Sequence, residues 1–340
     1  MARKPNITNI KILIADSDSN LGLVLTNVLQ RMGFKYVQYV KDGASAKKAL
    51  EQEHKDILIT EWHMQSIDGI ELTNIIRNSA ESSLRLLPII MLTARAEKQD
   101  VEAARDAGIT EFVVKPYNSL TVFQRIQQVI DNPRGFLMAP KYVGPDRRRK
   151  GILSPEMEER RKESPEIVNH TNADNVNEDT PKLIPPDYVL KKRIGIYDTL
   201  DSIITLQLLE DAQKVINDLK DESLNRIKIY VKEVDKCYKL LINQPGNEPI
   251  EKLKESLLAI KANAGTFGYK TASEVAHQLY QFIRFNYSLS SVKHNHVLLK
   301  HIQSLKILLG TMAEGKALEK ETQLLQGLKM MIAKFQDDRA

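Results

Sequence analysis

Apolar residues in the first 130 positions alternate between two spacings. Short continuous runs of four or five are separated by longer stretches in which apolar residues recur every three or four places. Lys11–Ala15 (KILIA) ends at Asp16 and predicts a strand of a parallel sheet buried on both faces. From Asp18 to Met32 the residues Leu21, Val24, Leu25, Val28 and Leu29 share one helical face, and Gly33 supplies the stop. The alternation then repeats. Strands are expected at Tyr36–Val40, Ile57–Thr60, Pro88–Leu92 and Phe112–Val114, and helices at Gly43–Gln52, Gly69–Asn78, Glu97–Ala107 and Leu120–Ile130. This order implies an α/β fold, a doubly wound five-stranded parallel sheet. Functional groups in such sheets gather beyond the carboxyl ends of the strands. Asp16, Ser17, Asp18, Glu61, Thr93 and Lys115 fall there.

Pro133 closes this pattern. Across 134–195 Pro, Asn, Asp, Glu and Arg replace periodic apolar residues, the composition of a flexible linker. Helical periodicity returns at Tyr197, with Leu224, Ile227, Val231, Val234, Tyr238 and Leu241 stepping by three and four, as do Leu298, Ile302, Leu305 and Leu309. The expected organisation is an α/β domain at 8–133, a linker at 134–195 and an all-α helical bundle at 196–340.

Charge removes some functions from consideration. The net formal charge of +5 is spread thinly: residues 1–133 hold 16 basic and 16 acidic side chains, and residues 196–340 hold 20 and 18. Neither domain has the single-sign surplus of a dedicated nucleic-acid binder. A single cysteine, Cys237, excludes an internal disulfide or a thiolate metal cage. The first ten residues lack the apolar core of a signal peptide, and no apolar run is long enough to span a bilayer. A cytoplasmic protein is expected.

Four segments, ILIADSDSN, DILITEWHMQSIDGIEL, LPIIMLTAR and EFVVKPY, resemble in order and spacing the receiver domain of two-component response regulators, a flavodoxin/CheY-like fold. Met64, Asp68 and Gly69, the Thr93-Ala94 pair and Lys115-Pro116 all fall in register. The resemblance implies phosphoryl transfer to an aspartate beside Mg²⁺, and a cis bond before Pro116. By the same resemblance Asp16 and Ser17 occupy the acidic-pair positions, Thr93 and Lys115 the phosphate-binding positions, and Phe112 the switch aromatic. The acceptor position holds Glu61.

Glutamate is one methylene longer than aspartate, which moves its oxygens about 1.5 Å further into the pocket and misplaces them for in-line attack. Ser17 also removes a carboxylate expected to touch the metal, so at most weak Mg²⁺ binding at Asp16, Asp18 and Glu61 is expected. Two readings of Glu61 stay open. Paired with Lys115, it either imitates the phosphorylated state or forms an ordinary ion pair in a relic site. An enzymatic alternative is a haloacid-dehalogenase-type phosphatase with Asp16 as nucleophile and Asp18 as general acid. That family needs a late acidic pair, where Tyr117–Asn132 offers only Asp131. A genuine phospho-receiver using Asp18 is a further alternative.

Lys254–Ile283 resembles the core of a histidine-phosphotransfer (HPt) domain. Lys261 matches its lysine, and Ala262, Ala264, Gly265 and Gly268 its small positions, but Leu258 stands where the histidine belongs. The resemblance implies a flat docking face around these residues. His277 falls on the following helix and not at the phosphorylated position, and the loose cluster of His294, His296 and His301 is read as solvated or capping. Tyr142–Lys150 (YVGPDRRRK) is similar to segments that follow receivers in bacterial signalling proteins, and Arg147–Lys150 is read as a solvated charge run. The expectation is a non-catalytic, cofactor-free adaptor whose partners are other two-component proteins: a histidine kinase, a receiver or an HPt protein.

Overall fold

The computed structural model describes residues 6–147, 166–167, 181–196, 199–285, 292–313 and 321–334. Chain contacts divide it into two compact units, Met1–Val114 with Asn118–Val215, and Lys115–Tyr117 with Ile216–Ala340.

In the first unit β1 (Lys11–Ala15), β2 (Tyr36–Val40), β3 (Ile57–Thr60), β4 (Ile89–Thr93) and β5 (Glu111–Val114) form one parallel sheet in the order β2-β1-β3-β4-β5. Every residue of β3 and β4 is buried. Their unbroken apolar runs therefore reflect helices on both faces. Those helices are α1 (Ser19–Arg31), α2 (Gly43–Gln52), α3 (Gly69–Arg77), α4 (Ser82–Arg85), α5 (Lys98–Ala107) and α6 (Ser119–Asp131). Short polar side chains start them: Asp18, Asp42, Asp68 and Asn118 each accept a backbone N–H of the first turn. Gly33 and Gly108 follow α1 and α5 with φ of 107° and 96°, conformations that favour glycine. Gly69 has a different reason: a Cβ there would collide with the Glu61 carbonyl. The α/β expectation holds, with α4 as an added short helix.

The expected linker at 134–195 needs correction. Its described part builds a second sheet from β6 (Phe136–Ala139), β7 (Tyr142–Pro145), β8 (Glu166–Ile167) and β9 (Lys182–Ile184), in the order β7-β6-β9-β8. β6 and β7 form a hairpin across Pro140 and Lys141, and β9 pairs antiparallel to β6. Phe136, Met138 and Ile184 make a small core, with Leu86 and Val143 against it. Strands of two to four residues carry too few alternations to stand out from a polar background. Residues 148–165 and 168–180, including Arg148–Lys150 of the basic run, lie outside the described residues.

Past β9, α7 (Val189–Ile194) and the start of α8 (Leu206–Asp218) also belong to the first unit. Leu200 N–H donates to Asp131 at 2.8 Å, and the Ser119 hydroxyl donates to the Leu209 carbonyl at 2.8 Å. The boundary expected at 196 therefore moves to Ile216.

The second unit is helical: α9 (Lys220–Asn243), α10 (Asn247–Thr266), α11 (Lys270–Phe285), α12 (Val292–Ala313) and α13 (Glu321–Ala333). α9 packs on α10, α10 on α11, and α12 on both α9 and α11. The stripes read from the sequence face inward: Leu224, Ile227, Val231, Val234 and Leu241 on α9, and Leu298, Ile302, Leu305 and Leu309 on α12, are buried. Among the described residues no helix is long and apolar enough to cross a membrane.

Candidate functional site

The strand register brings the sequence-singled residues to one edge. Ala15 pairs with Thr60, Thr60 with Met91, and Thr93 with Val114, so the residues that follow these strands emerge side by side. Glu61 N–H donates to the Ala15 carbonyl at 2.8 Å, which ties the start of the β3 loop to the end of β1.

Each polar side chain described at this edge has a partner within the fold. Asp16 is buried, and its Oδ1 accepts the Asp18 N–H at 2.9 Å. Asp18 Oδ1 accepts the N–H groups of Asn20 at 3.0 Å and Leu21 at 3.3 Å, the N-cap of α1. The Ser17 hydroxyl donates to the His63 carbonyl at 3.0 Å. The extra methylene of Glu61 lets its carboxylate curl back onto its own chain, where Oε1 accepts the Trp62 N–H at 2.6 Å. Thr93 is buried, and its Oγ1 accepts the Arg95 N–H at 3.3 Å. The Arg95 guanidinium lies 5.3 Å from the Trp62 ring centroid, a cation–π contact at the lip. Phe112 is half-buried against the core that contains Met91 and Leu87. Lys115 is buried, and its bond to Pro116 is cis, as the resemblance implied.

A divalent cation needs several oxygens converging on one point. Here the Asp18 carboxylate faces the helix start, Glu61 Oε1 is turned to its own backbone, and Ser17 offers only a hydroxyl that already donates. Among the described residues no group of three His, Cys, Asp or Glu side chains is placed to hold a metal ion. In the expected weak Mg²⁺ set of Asp16, Asp18 and Glu61, one oxygen of each carboxylate accepts a backbone N–H. Asp131, the late acidic residue of the phosphatase alternative, lies elsewhere: it is buried, accepting the Leu200 N–H at 2.8 Å with Lys191 3.7 Å away.

The HPt-like hairpin is α10 and α11. Leu258 is half-exposed and Lys261 is buried. Its expected open face of small residues is only partly present. Ala262 and Ala264 are buried, Gly265 is half-buried and Gly268 exposed. A Cβ on Gly265 would come within 2.9 Å of Ser273 Oγ on α11, and the Ser273 hydroxyl donates to the Lys261 carbonyl at 2.8 Å. The small residues serve the close approach of α10 to α11. Two histidines are also corrected. His294 is buried, edge-on to Phe282 at 5.3 Å, and His301 is fully buried. His301 Nδ1 donates to the Val297 carbonyl at 2.8 Å, while burial pulls its pKa down to about 4.

Sequence reading passed over Trp62, the only tryptophan of the chain, and Arg77 at the end of α3. Arg77 lies 2% exposed and, among the described residues, has no carboxylate paired with it. It donates to the carbonyls of Gly108 (3.0 Å), Arg85 (2.8 Å) and Leu87 (2.8 Å), and lies 5.0 Å from the Phe136 ring centroid. The available signal was its place beside the buried stripe of Leu72, Thr73 and Ile76.

Comparison with known proteins bears on the first unit. Residues 12–127 match the response regulator receiver domain. Over 123 residues the chain is 32% identical to chemotaxis protein CheY-3 of Vibrio cholerae, covering 36% of this chain and 93% of that protein. It is likewise 32% identical over 126 residues to chemotaxis protein CheY of Pseudomonas aeruginosa, covering 37% of this chain and 100% of that one. Among solved structures, the chemotaxis response regulator CheY4 of Vibrio cholerae is 26% identical, with a TM-score of 0.33 over 35% of this chain and 98% of that chain.

Proposed function

Since the chain belongs to the receiver family of two-component response regulators, we propose that it is an atypical member: a non-catalytic adaptor in phosphorelay signalling whose receiver is not switched by aspartyl phosphorylation. The observation that carries this reading is the Glu61 carboxylate bonded to the Trp62 N–H at 2.6 Å, at the position where the family places its acceptor. A nucleophile needs an oxygen aimed at an incoming phosphorus, and positioning is most of this catalysis. Glu61 Oε1 is spent on its own backbone. The Asp18 cap and the Ser17 bond to His63 support the same conclusion for the metal half of the reaction. They also argue against Asp18 as a substitute acceptor or a phosphatase general acid.

A glutamate carboxylate brings one negative charge where a phosphoryl group brings nearly two. That deficit supports a site fixed in one state over a faithful imitation of phosphorylation. In the same reading α10 and α11 form an HPt-type hairpin without its histidine. Leu258 adds an apolar side chain to the surface that Lys261 adjoins. The partners would then be other two-component proteins, met in the cytoplasm through surface contacts alone.

Trp62 provides the test, because it is the only tryptophan and adjoins Glu61. Titrating Mg²⁺, then Mg²⁺ with beryllofluoride, into the full chain should leave its emission unchanged. A saturable change with either would mean a working acidic pocket and would remove the proposal.

A further inference from the structure

The other end of the receiver sheet carries a cleft of about 280 Å³, just under the usual range of ligand pockets, about 300–1,000 Å³. Its floor is the amino ends of three strands, with Asp56 before β3, Leu87 and Pro88 before β4, and Thr110 before β5. Its walls come from the region expected to be a linker, through Phe136 and Pro145 of the second sheet and Val189 and Leu190 of α7. Four prolines stand around it: Pro88, Pro133, Pro145 and Pro185. Proline has a fixed φ and no N–H, so these stretches of wall are stiff and offer no backbone donor.

The charged side chains of the lining are already matched. Arg193 pairs with Asp56 at 2.5 Å, Lys55 with Glu53 at 2.5 Å, and Arg134 lies 3.3 Å from Glu111. Asp56 also accepts the Lys11 N–H at 2.7 Å and has His54 Nε2 3.1 Å away. Asp187 accepts the Val189 N–H at 2.9 Å, at the start of α7. An anion entering the cleft would meet no spare cation, and a cation would meet no carboxylate without a partner. Either would give up hydration with no counter-ion to replace it, which is costly. The uncharged polar groups are fewer. The Ser83 hydroxyl donates to Glu81, whereas Thr110 Oγ1 accepts the Ile89 N–H at 3.0 Å and still carries an O–H to donate.

We propose that this cleft binds a small uncharged molecule, a single ring with one short branch that carries a ketone or ester oxygen. The ring would rest on Leu87, Phe136 and Leu190, and the oxygen would accept the Thr110 O–H. The volume limits the ligand to about one ring, and the paired charges select for neutrality. The prolines hold the walls in place before the ligand arrives, so little ordering opposes binding. Such a ligand would join the second sheet and α7 to the base of the receiver, and binding to the folded state alone would stabilise both.

Ligand-observed saturation-transfer NMR on the full chain tests this with three probes of the same shape: acetophenone, benzoate and benzamidine, which are neutral, anionic and cationic. Acetophenone should bind saturably, and each ion at least about tenfold more weakly for want of a counter-charge. Leu190→Trp, at a half-buried position of the lining, should fill the cleft and abolish the signal. Thr110→Val should weaken acetophenone about fivefold, the worth of one neutral hydrogen bond, and Thr110→Ser should restore it. No saturable binding of acetophenone, equal binding by either ion, or binding indifferent to Leu190→Trp or to Thr110→Val would each overturn the proposal. The three-probe comparison on the unaltered chain decides even if a variant fails to fold.

Discussion

The two ends of the receiver sheet are built from the same strands and treat charge in opposite ways. At the carboxyl end, Asp16, Asp18 and Glu61 hold bonds from the backbone of their own loops. At the amino end, Arg77 is buried with three carbonyls and an aromatic ring and, among the described residues, no counter-ion, and Arg193 and Arg134 pair with Asp56 and Glu111. The apolar runs that specify the strands say little about either arrangement. Fold is set by the alternation, whereas function is set by a few side chains in the loops at each end. The carboxyl end carries short local bonds, and the amino end carries the second sheet and α7.

The sharpest way to break this contrast is Arg77→Leu. Three carbonyls lose a charged donor inside the fold, and Phe136 loses the group beneath its ring. A loss of about 4 kcal/mol in the denaturation of the first unit is expected. A loss below about 1 kcal/mol would show that the buried guanidinium does not hold β6 to the receiver. Burial without a facing carboxylate also pulls the pKa of Arg77 down to about 9.

His301 in the helical unit extends the contrast to a second buried ionisable group. Nε2 has no hydrogen-bond partner among the described residues, and the folded pKa of about 4 lies below the ordinary 6.5. Between these values the unfolded chain binds the extra proton and the folded chain does not, so stability falls as pH falls. The loss from pH 7 to pH 4 should be about 3 kcal/mol for this residue. Urea denaturation of wild type and His301→Leu across that range should show the variant without this component of the slope. Identical slopes would mean that His301 is protonated equally in both states.

Much of this was legible in the sequence, for identifiable reasons. The strands β1, β3 and β4 are continuous apolar runs because both faces are buried, and the stripes of α9 and α12 repeat often enough to show their period. The carboxyl-end residues were legible as well, since a parallel sheet delivers whatever follows its strands to one edge. The second sheet was not, because Phe136, Met138 and Ile184 are three core residues scattered over nearly fifty positions. Nor was the Trp62 N–H as a partner of the Glu61 carboxylate, since a bond to the adjacent backbone depends on torsions that no pattern records. The open face expected at Ala262 and Gly265 is only partly present for a related reason. Small residues permit close approach, and Ser273 of the next helix is among the near neighbours of Gly265.

Smaller effects are expected at the carboxyl end. Glu61→Gln should change stability by less than about 0.5 kcal/mol, because a half-buried amide oxygen can accept the same Trp62 N–H. Glu61→Asp restores the family's residue type, yet it should not restore Mg²⁺ binding while Ser17 bonds to His63 and Asp18 caps α1. A saturable Trp62 response to Mg²⁺ in Glu61→Asp would show that the closure rests on the acceptor alone.

On the proposed reading, this receiver does not take a phosphoryl group on a carboxylate. Intact-mass spectrometry of the full chain after incubation with acetyl phosphate and Mg²⁺ tests it most directly. The unmodified mass is expected throughout. A stoichiometric gain of one phosphoryl group, removed by hydroxylamine, would contradict it.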